Sequence, residues 1–249
     1  MKKKYMSFNE LDNLDIINLF SYKPLNFKKD IDRDVINNNF KLLENNLDYK
    51  FKKIIGANQK HTNNVVVVDN DNINESFDGV DGLITNLKGV ALVTYLADCQ
   101  GILLYDKNKK IIGNIHSGWK GTLGRIIEKA INTMIDTFNS NVEDIIVCFC
   151  PSILKCCFEV DEEIMELFKN EFNDINIDEC INRGQIVDNK QKYYIDTIKI
   201  NKDILINIGI KEDNILCSNI CSKCNSDFIH SYRADKPNDG RNIALICIK

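Results

Sequence analysis

Residues 90–138, VALVTYLADCQGILLYDKNKKIIGNIHSGWKGTLGRIIEKAINTMIDTF, contain three short apolar segments followed by one long amphipathic segment. The short segments, Val90–Leu96, Ile102–Tyr105 and Ile111–Ile115, consist mainly of β-branched, leucine and aromatic residues, which is typical of buried strands. Within Leu123–Phe138 the apolar residues recur at steps of three and four, which predicts an amphipathic helix. This stretch therefore predicts several strands and a long helix after them.

Similar patterns extend to both sides of this stretch. Helical spacing predicts two further helices, Asp161–Phe168 and Thr197–Ile208, the second ending at Gly209 as a C-cap. Residues 1–50 are rich in Asn and poorly patterned, and no Pro-, Gly- or Ser-rich linker divides the chain. We therefore expect a single domain over residues 1–249, of the α/β (α+β) class with a mixed sheet. Further strands are predicted at Val65–Val68, Ile145–Phe149, Tyr193–Ile195, Ile215–Cys217, Phe228–Tyr232 and Ile243–Ile248.

The composition argues against several classes of protein. The 249 residues carry a formal net charge of −4, so there is no overall positive charge to attract nucleic acid. No apolar run approaches the roughly 18 residues that a membrane span needs. The basic start, Met1–Lys4, is not followed by the apolar segment of a secretory signal. We therefore expect a cytoplasmic protein with reduced cysteines that neither binds nucleic acid nor enters a membrane.

Cys99 and His116 lie just outside a predicted hairpin whose loop is formed by residues 106–109. In that register Tyr105 faces Lys110, and continuing the ladder places Cys99 opposite His116. Directly opposed residues of an antiparallel pair have Cβ atoms about 4.5–5.5 Å apart. At that separation a thiolate and an imidazole can bind one metal ion or act as a nucleophile and its base.

Two neighbouring features add to this candidate site. The run His116–Arg125 is a Gly-rich turn from a strand into a helix, whose backbone N–H groups suit an anion such as phosphate. His61 supplies a second imidazole, and His61, Cys99 and His116 together form a set that is compatible with catalytic zinc. Zinc held in this way would lower the pKa of a bound water molecule toward about 7 or act as a Lewis acid.

Six motifs occur in order along the chain: Gln59–His61, Asp81–Thr85, Ala97–Cys99, His116–Gly121, Pro151–Ile153 with Cys156–Val160, and Phe228–Arg233 with Asp239–Arg241. Together they resemble the YfiH/YlmD-type purine nucleoside phosphorylases, a family also labelled multicopper polyphenol oxidases or laccase-domain proteins. The resemblance extends from about Leu25 to the C-terminus. It implies a single domain in which mixed sheets form a central sandwich flanked by helices.

The resemblance also implies a chemistry. It implies a zinc ion held by His61, Cys99 and His116. It further implies that the partners are purine nucleosides and phosphate, with phosphorolysis of adenosine, inosine, guanosine and methylthioadenosine to the free base and ribose 1-phosphate. Adenosine deamination is an additional implied activity. Copper-dependent phenol oxidation is the older label of the family; we rank copper (Cu²⁺) below zinc (Zn²⁺), because three such ligands cannot by themselves build a multicopper cluster.

Phosphorolysis requires an anion site, and three basic residues are candidates for it. We expect Arg233 and Arg241 to bind phosphate, because a guanidinium can grip oxyanions through two parallel hydrogen bonds. Their alternative role is a structural ion pair with Asp235 or Asp239. Lys120 stands where the family has an Arg after Trp, and it is the third candidate.

Two further points concern the proposed reactions. Asp98 is the carboxylate nearest to Cys99 in sequence, and it is expected either to shuttle protons in deamination or to orient a ligand histidine. The N-terminal Thr-Arg-x-Gly-Gly segment of the family is shortened here and lacks its Arg, with Phe20–Asn26 in its place.

The same residues are also compatible with a different class of enzyme. A metal-free hydrolase or amidase would use Cys99 as nucleophile and His116 as base, with Asp98 or Asn114 orienting the imidazole. Such an enzyme would bind no metal, and its Cys99 would react readily with alkylating reagents.

The remaining cysteines are expected to be mostly reduced bystanders. Cys221–Cys224 forms a CxxC motif, so a non-enzymatic zinc or redox protein built on it is a third alternative. No second CxxC lies at the spacing of a zinc ribbon, which argues against that alternative. No chemistry is assigned to the adjacent pair Cys156–Cys157.

Overall fold

The structure is a computed structural model that describes residues 4–11, 14–237 and 239–249. None of the helices in these three ranges is long and apolar enough to cross a membrane. The strands are β1 Tyr5–Met6, β2 Ile16–Ser21, β3 Lys53–Gly56, β4 Val65–Val67, β5 Gly82–Thr85, β6 Val90–Leu96, β7 Gln100–Asp106, β8 Ile111–Ser117, β9 Ile145–Phe149, β10 Glu159–Asp161, β11 Ile181–Val187, β12 Lys190–Ile195, β13 Ile215–Cys217 and β14 Asn242–Ile248.

The α-helices connect strands and, in several cases, cover the sheets. Short 3-10 helices occur at Asn9–Leu11, Val142–Asp144 and Glu212–Asn214. The α-helices are α1 Arg33–Leu47, α2 Trp119–Leu123, α3 Ile126–Phe138, α4 Glu162–Glu171, α5 Ile177–Cys180, α6 Thr197–Asn207 and α7 Tyr232–Asp235.

Two mixed sheets pack face to face as a sandwich. Their strand orders are β1-β2-β14-β6-β3 and β13-β9-β7-β8-β5-β4. Side chains alternate along the strands, so Leu103 and Tyr105 of β7 face the sandwich interior while Ile102 and Leu104 face the helices. The expected α/β class, with mixed sheets in a central sandwich flanked by helices, is confirmed.

Helices cover the outer faces of both sheets. On the six-stranded sheet, Ile127, Ile131 and Met134 of α3 are fully buried in a core that α4 and α6 also join. On the five-stranded sheet, Leu43 of α1 packs in a cluster with Leu245 of β14. A third sheet, β10-β12-β11, contacts α4 and α5.

Two elements near the N-terminal end of the chain were not predicted, and one prediction near its C-terminal end was wrong. The poorly patterned N-terminal segment contains β2 and α1. Helix α1 begins after the N-cap Asp32; its Leu43 is fully buried, and Ile36, Phe40 and Leu47 are partly buried against the same cluster. Phe228–Tyr232 is not a strand. Ser231 instead caps α7, because its Oγ accepts a hydrogen bond from the backbone N–H of Ala234 at 3.2 Å.

The hairpin of β7 and β8 differs from the predicted register by two residues. Tyr105 faces Ile112 rather than Lys110, and Gly101 faces His116. The prediction that Cys99 lies opposite His116 on the ladder was therefore wrong.

The turn explains this shift. Asp106 ends β7 instead of opening the loop, and its carboxylate accepts hydrogen bonds from the backbone N–H groups of Asn108 and Lys109, both at 2.9 Å. Its carbonyl accepts from Lys110 N–H at 2.9 Å, and Lys110 has a left-handed φ of 56°. The loop is consequently formed by residues 107–110.

The long helix predicted from Leu123 is divided into α2 and α3. The break falls at Gly124 and Arg125, and Arg125 has a left-handed φ of 51°. Its guanidinium pairs with Asp174, and Phe172 lies below it at 5.0 Å from ring centroid to Cζ. The Gly-rich turn after His116 therefore leads into a helix of five residues rather than directly into the long one.

Candidate active site and metal centre

The segment that carries His61 is shaped by the buried carboxylate of Asp81. The two oxygens of Asp81 accept hydrogen bonds from the backbone N–H groups of Lys60 (3.2 Å), His61 (3.1 Å) and Thr62 (2.8 Å). The hydroxyl of Thr62 also donates to Asp81, at 2.7 Å. These bonds hold His61 in a left-handed conformation, with a φ of 59°, that a side chain of this size seldom adopts.

The same carboxylate fixes His116, which is buried near the end of β8. His116 Nδ1 is 2.7 Å from Asp81 Oδ1, and its backbone N–H donates to the carbonyl of Asp81 at 2.7 Å. When Nδ1–H is held by a carboxylate, Nε2 is left available as a ligand, which is the arrangement common in metal-bound histidines.

Cys99 lies on the connection that carries the chain from β6 in one sheet to β7 in the other. Asp98, just before it, has a left-handed φ of 81°. Cys99 Sγ is 3.8 Å from His61 Nε2, and one donor atom from each of His61, Cys99 and His116 lies within 4.8 Å of the others. The turn at Asp98, rather than ladder pairing, thus brings the three predicted metal ligands together.

Cys99 and His116 shift each other's protonation. Burial raises the pKa of Cys99, but the neighbouring imidazoles of His116 and His61 outweigh this and lower it to about 6. Burial lowers the pKa of His116, but Cys99 and Asp81 outweigh this and raise it to about 9. A thiolate among imidazoles is a donor set that attracts a divalent cation.

The absence of a side chain at Gly118 leaves room for the imidazole of His61 and the thiol of Cys99 to lie close together. A Cβ atom there would lie 2.8 Å from His61 Cδ2 and 3.2 Å from Cys99 Sγ. Any larger residue would therefore push the imidazole away from the sulfur.

Two cavities open on this group. The larger, of about 560 Å³, is also bordered by Tyr95 and Arg241. The smaller, of about 350 Å³, is bordered by Arg233 among others. His61 and Cys99 border both cavities, so a metal held between them would be accessible from two sides.

Residues 19–249 match the family described as multi-copper polyphenol oxidoreductase laccase. The chain belongs to this family. It is 33% identical over 242 residues to a purine nucleoside phosphorylase of Borreliella burgdorferi, and the alignment covers 97% of this chain and 95% of that relative. It is 31% identical over 200 residues to adenosine deaminase RL5 from an unknown prokaryotic organism, covering 78% of this chain and 74% of the relative.

The fold agrees with this assignment. The structure of the hypothetical protein YfiH of Bacillus licheniformis matches with a TM-score of 0.89 at 23% identity, covering 99% of this chain and 97% of that one. The resemblance drawn from the motifs is confirmed, and the chain is an enzyme of the laccase family.

The two arginines predicted to bind phosphate lie on different cavities of this laccase-family site. Arg241 borders the larger cavity, and its Nη1 donates a hydrogen bond to the carboxylate of Asp239. Arg233 borders the smaller cavity, and its Nη1 donates to the backbone carbonyls of Cys157 and Glu159, each at 3.3 Å.

Lys120 is not brought to the site. Its Nζ lies 5.5 Å from the ring centroid of Trp119, and its side chain is not part of either cavity wall. The indole of Trp119 borders the smaller cavity in its place.

Asp98 holds neighbouring segments together. Its carboxylate accepts hydrogen bonds from Ser222 Oγ at 2.5 Å and from the backbone N–H of Arg233 at 2.6 Å. Asn114 is bonded to the opposite sheet, so neither Asp98 nor Asn114 orients His116. That role, which the hydrolase alternative gave to one of them, belongs to Asp81.

Sequence reasoning missed several residues of this site. Asp81 enters the sequence analysis only as part of a motif, although an Asp just before the apolar run Leu83–Ile84 is an available signal. Lys28 and Lys29 border the larger cavity from a segment whose sequence gave no pattern. Lys29 donates to the carbonyl of Ala57 at 2.9 Å and lies 5.1 Å from the ring centroid of Tyr95.

Proposed function

We propose that this enzyme is a zinc-dependent purine nucleoside phosphorylase that acts on adenosine, inosine, guanosine and methylthioadenosine, and that it also deaminates adenosine. The observation that carries the proposal is the His61–Cys99–His116 group beside a cavity of about 560 Å³ that basic side chains border. Both activities are those named for the relatives.

The three side chains suit zinc. Imidazole and thiolate are ligands of catalytic zinc, which takes three protein ligands and leaves one position open. Zinc held there supplies Lewis acidity and lowers the pKa of a water molecule that it binds. The chain has three histidines, and the third, His230, is buried with Nε2 3.0 Å from the carbonyl of Leu25. The chain therefore has too few imidazoles for a multicopper cluster.

The larger cavity suits a nucleoside. Its volume falls within the roughly 300–1,000 Å³ that is usual for small-molecule sites. The ring of Tyr95 borders it and offers an aromatic face against which a purine can stack. In phosphorolysis a phosphate oxygen bonds to C1′, the C1′–N9 bond breaks, and its electron pair leaves with the purine, which takes a proton.

We assign phosphate binding to the basic side chains of this same cavity. Asp239 accepts a hydrogen bond from Arg241 Nη1 and lies 3.9 Å from Lys28 Nζ, so it holds both cations beside the cavity. Lys28 and Lys29 follow the segment that lacks the Arg of the family, and they supply positive charge there. Both guanidiniums have protein partners, since Arg233 donates to backbone carbonyls and Arg241 forms an ion pair with Asp239. Arg241 is the main candidate because it borders the larger cavity together with Lys28 and Lys29.

Asp98 acts in this proposal as a positioning residue. Its carboxylate already accepts from Ser222 and Arg233, so it fixes the wall of the smaller cavity rather than moving protons. Deamination exchanges the 6-amino group of adenosine for a water oxygen and releases ammonia, so it needs water but no phosphate.

One set of assays on the purified enzyme tests the proposal. Metal content is measured, and inosine, adenosine and methylthioadenosine are assayed with and without phosphate. We expect bound zinc, base release that requires phosphate, and ammonia release from adenosine in the absence of phosphate.

Cys99→Ala should lose the zinc of this site and at least about 100-fold in activity, because loss of a residue that only hydrogen-bonds to a metal ligand already costs up to about 100-fold. Cys217→Ala, at a half-buried thiol outside both cavities, is the control.

A second variant pair tests the anion site. Arg241→Gln should raise the KM for phosphate at least tenfold, whereas Arg183→Gln, on the exposed β11, should leave it unchanged.

Full activity and zinc content in Cys99→Ala would contradict the assignment of the metal site. Hydrolysis by metal-free enzyme whose Cys99 is readily alkylated would instead support the hydrolase alternative.

A further inference from the structure

Four cysteine side chains from two distant segments meet beside the smaller cavity. Cys156 and Cys157 lie in the turn before β10, and Cys221 and Cys224 lie in the loop after β13. Their sulfur atoms all lie within 4.8 Å of one another. Cys224 Sγ is 3.4 Å from that of Cys157 and 3.9 Å from that of Cys156. This cysteine cluster shares no residue with the His61–Cys99–His116 group.

The spacing of the sulfurs matches that of a tetrahedral zinc site. A Zn–S bond is about 2.3 Å long, so sulfurs at the corners of a tetrahedron around zinc lie about 3.8 Å apart. The separations of Cys224 Sγ from the sulfurs of Cys157 and Cys156, 3.4 and 3.9 Å, fall close to this value. Four cysteine ligands fill the coordination of zinc, which is typical of structural sites, whereas the three ligands of the other group leave a position open.

The charges in the cluster also favour a cation. Four thiolates this close together repel one another, so a divalent cation among them favours the ionised form of the whole cluster.

We propose that Cys156, Cys157, Cys221 and Cys224 bind one structural Zn²⁺ ion, separate from the metal of the candidate active site. Binding displaces the thiol protons to solvent and leaves the cysteines without change of oxidation state. The adjacent pair and the CxxC motif each supply two ligands, so the second pair missing from the zinc-ribbon pattern comes from a turn that lies 64 residues earlier.

The ion fixes the wall of the smaller cavity. Apart from the cluster, the two segments are joined by backbone hydrogen bonds such as that from Ser222 N–H to the carbonyl of Ser152, at 2.9 Å. Ser222 donates to Asp98, and the carbonyl of Cys157 accepts from Arg233. Zinc at the cluster therefore holds Asp98 and Arg233, which both border this cavity, in position.

Metal counting on the purified 249-residue chain tests the proposal. The double variant Cys221→Ser/Cys224→Ser should contain one zinc ion per chain fewer than the wild type, whatever the occupancy of the His61–Cys99–His116 group. Cys99→Ala should lose a different ion, and combining the two changes should remove both. Cys217→Ser, which replaces a nearby thiol outside the cluster, should keep the wild-type content. A double variant with wild-type zinc content would overturn the proposal.

A measurement on the wild type alone guards against variants that fail to fold. Alkylation followed by mass spectrometry should find all four cysteines protected in the presence of zinc and modified after chelation. Reconstitution with Co²⁺ should give the strong charge-transfer absorption of thiolate ligands, reduced in the double variant. A disulfide between Cys157 and Cys224 in the native protein, or alkylation that zinc does not slow, would show a redox pair or bystander thiols instead.

Discussion

Asp81 connects two parts of the candidate site through one carboxylate. It accepts hydrogen bonds from three consecutive backbone N–H groups around His61 and from the ring of His116. Burial works against its ionised form, but the bonds from His116 and Thr62 outweigh it and hold the pKa of Asp81 well below its usual range. A single ionised group therefore sets the loop conformation that presents one ligand and the ring orientation of another.

Replacing this carboxylate by an amide should weaken metal binding more than it weakens the fold. In Asp81→Asn the side-chain NH₂ cannot accept from the loop, and His116 loses its charged partner, so we expect the zinc dissociation constant to rise about 10- to 100-fold. Competition with a chromogenic chelator measures this. Asp78→Asn, an exposed carboxylate of the same loop that pairs with Lys60, is the matched control. Unchanged zinc affinity in Asp81→Asn would show that Asp81 only shapes the loop.

At the scale of the element, the buried strands could be predicted from the sequence. Val90–Leu96 and Ile145–Phe149 have the predicted bounds, because strands covered on both faces are continuous runs of apolar residues. The errors fall where a polar side chain bonds to the backbone or to a distant partner. Asp106 sets the hairpin register, Arg125 divides the long helix, and Ser231 starts a helix where a strand was expected. Apolar periodicity carries no information about such bonds.

Asn114 joins the two sheets of the sandwich. Its Nδ2 donates to the carbonyls of Leu92 and Ala244, both at 2.8 Å, and its Oδ1 accepts from Thr94 Oγ1 at 2.8 Å. All three partners belong to the five-stranded sheet, while Asn114 lies on β8 of the other. The position of His116 near the end of β8 therefore depends on these hydrogen bonds, which fix one sheet relative to the other.

Truncating this side chain should destabilise the fold. Asn114→Ala leaves the buried Thr94 hydroxyl without its acceptor and opens a small cavity, so we expect a loss of about 2–4 kcal/mol in the free energy of unfolding. Urea denaturation followed by circular dichroism measures it. Asn132→Ala, at an exposed position of α3, should stay within about 0.5 kcal/mol of the wild type. If Asn114→Ala also lost no more than about 0.5 kcal/mol in the free energy of unfolding, this role of Asn114 would be contradicted.

Over the whole molecule, the side chains of both candidate metal sites come from segments far apart in sequence. His61, Cys99 and His116 could be predicted as a set because each lies in a recognisable motif. The contact between Cys156–Cys157 and the CxxC motif could not be predicted from the sequence, since nothing in their spacing indicates that the turn before β10 meets the loop after β13. That contact depends on the parallel pairing of β9 with β13, which a local pattern does not specify.

Because both groups exist only in the folded chain, zinc should contribute to its stability. A ligand that binds the native state at about 100 times its dissociation constant adds about 2.7 kcal/mol, less any binding to the unfolded chain. For a protein of this size that corresponds to a rise of about 5–11 °C in Tm for each site. Calorimetry should therefore show a lower Tm after chelation, restored by zinc and not by magnesium. The double variant Cys221→Ser/Cys224→Ser should show a smaller drop, because one of the two ions is already missing. A wild-type Tm that chelation leaves unchanged would mean that neither group binds zinc tightly enough to stabilise the fold.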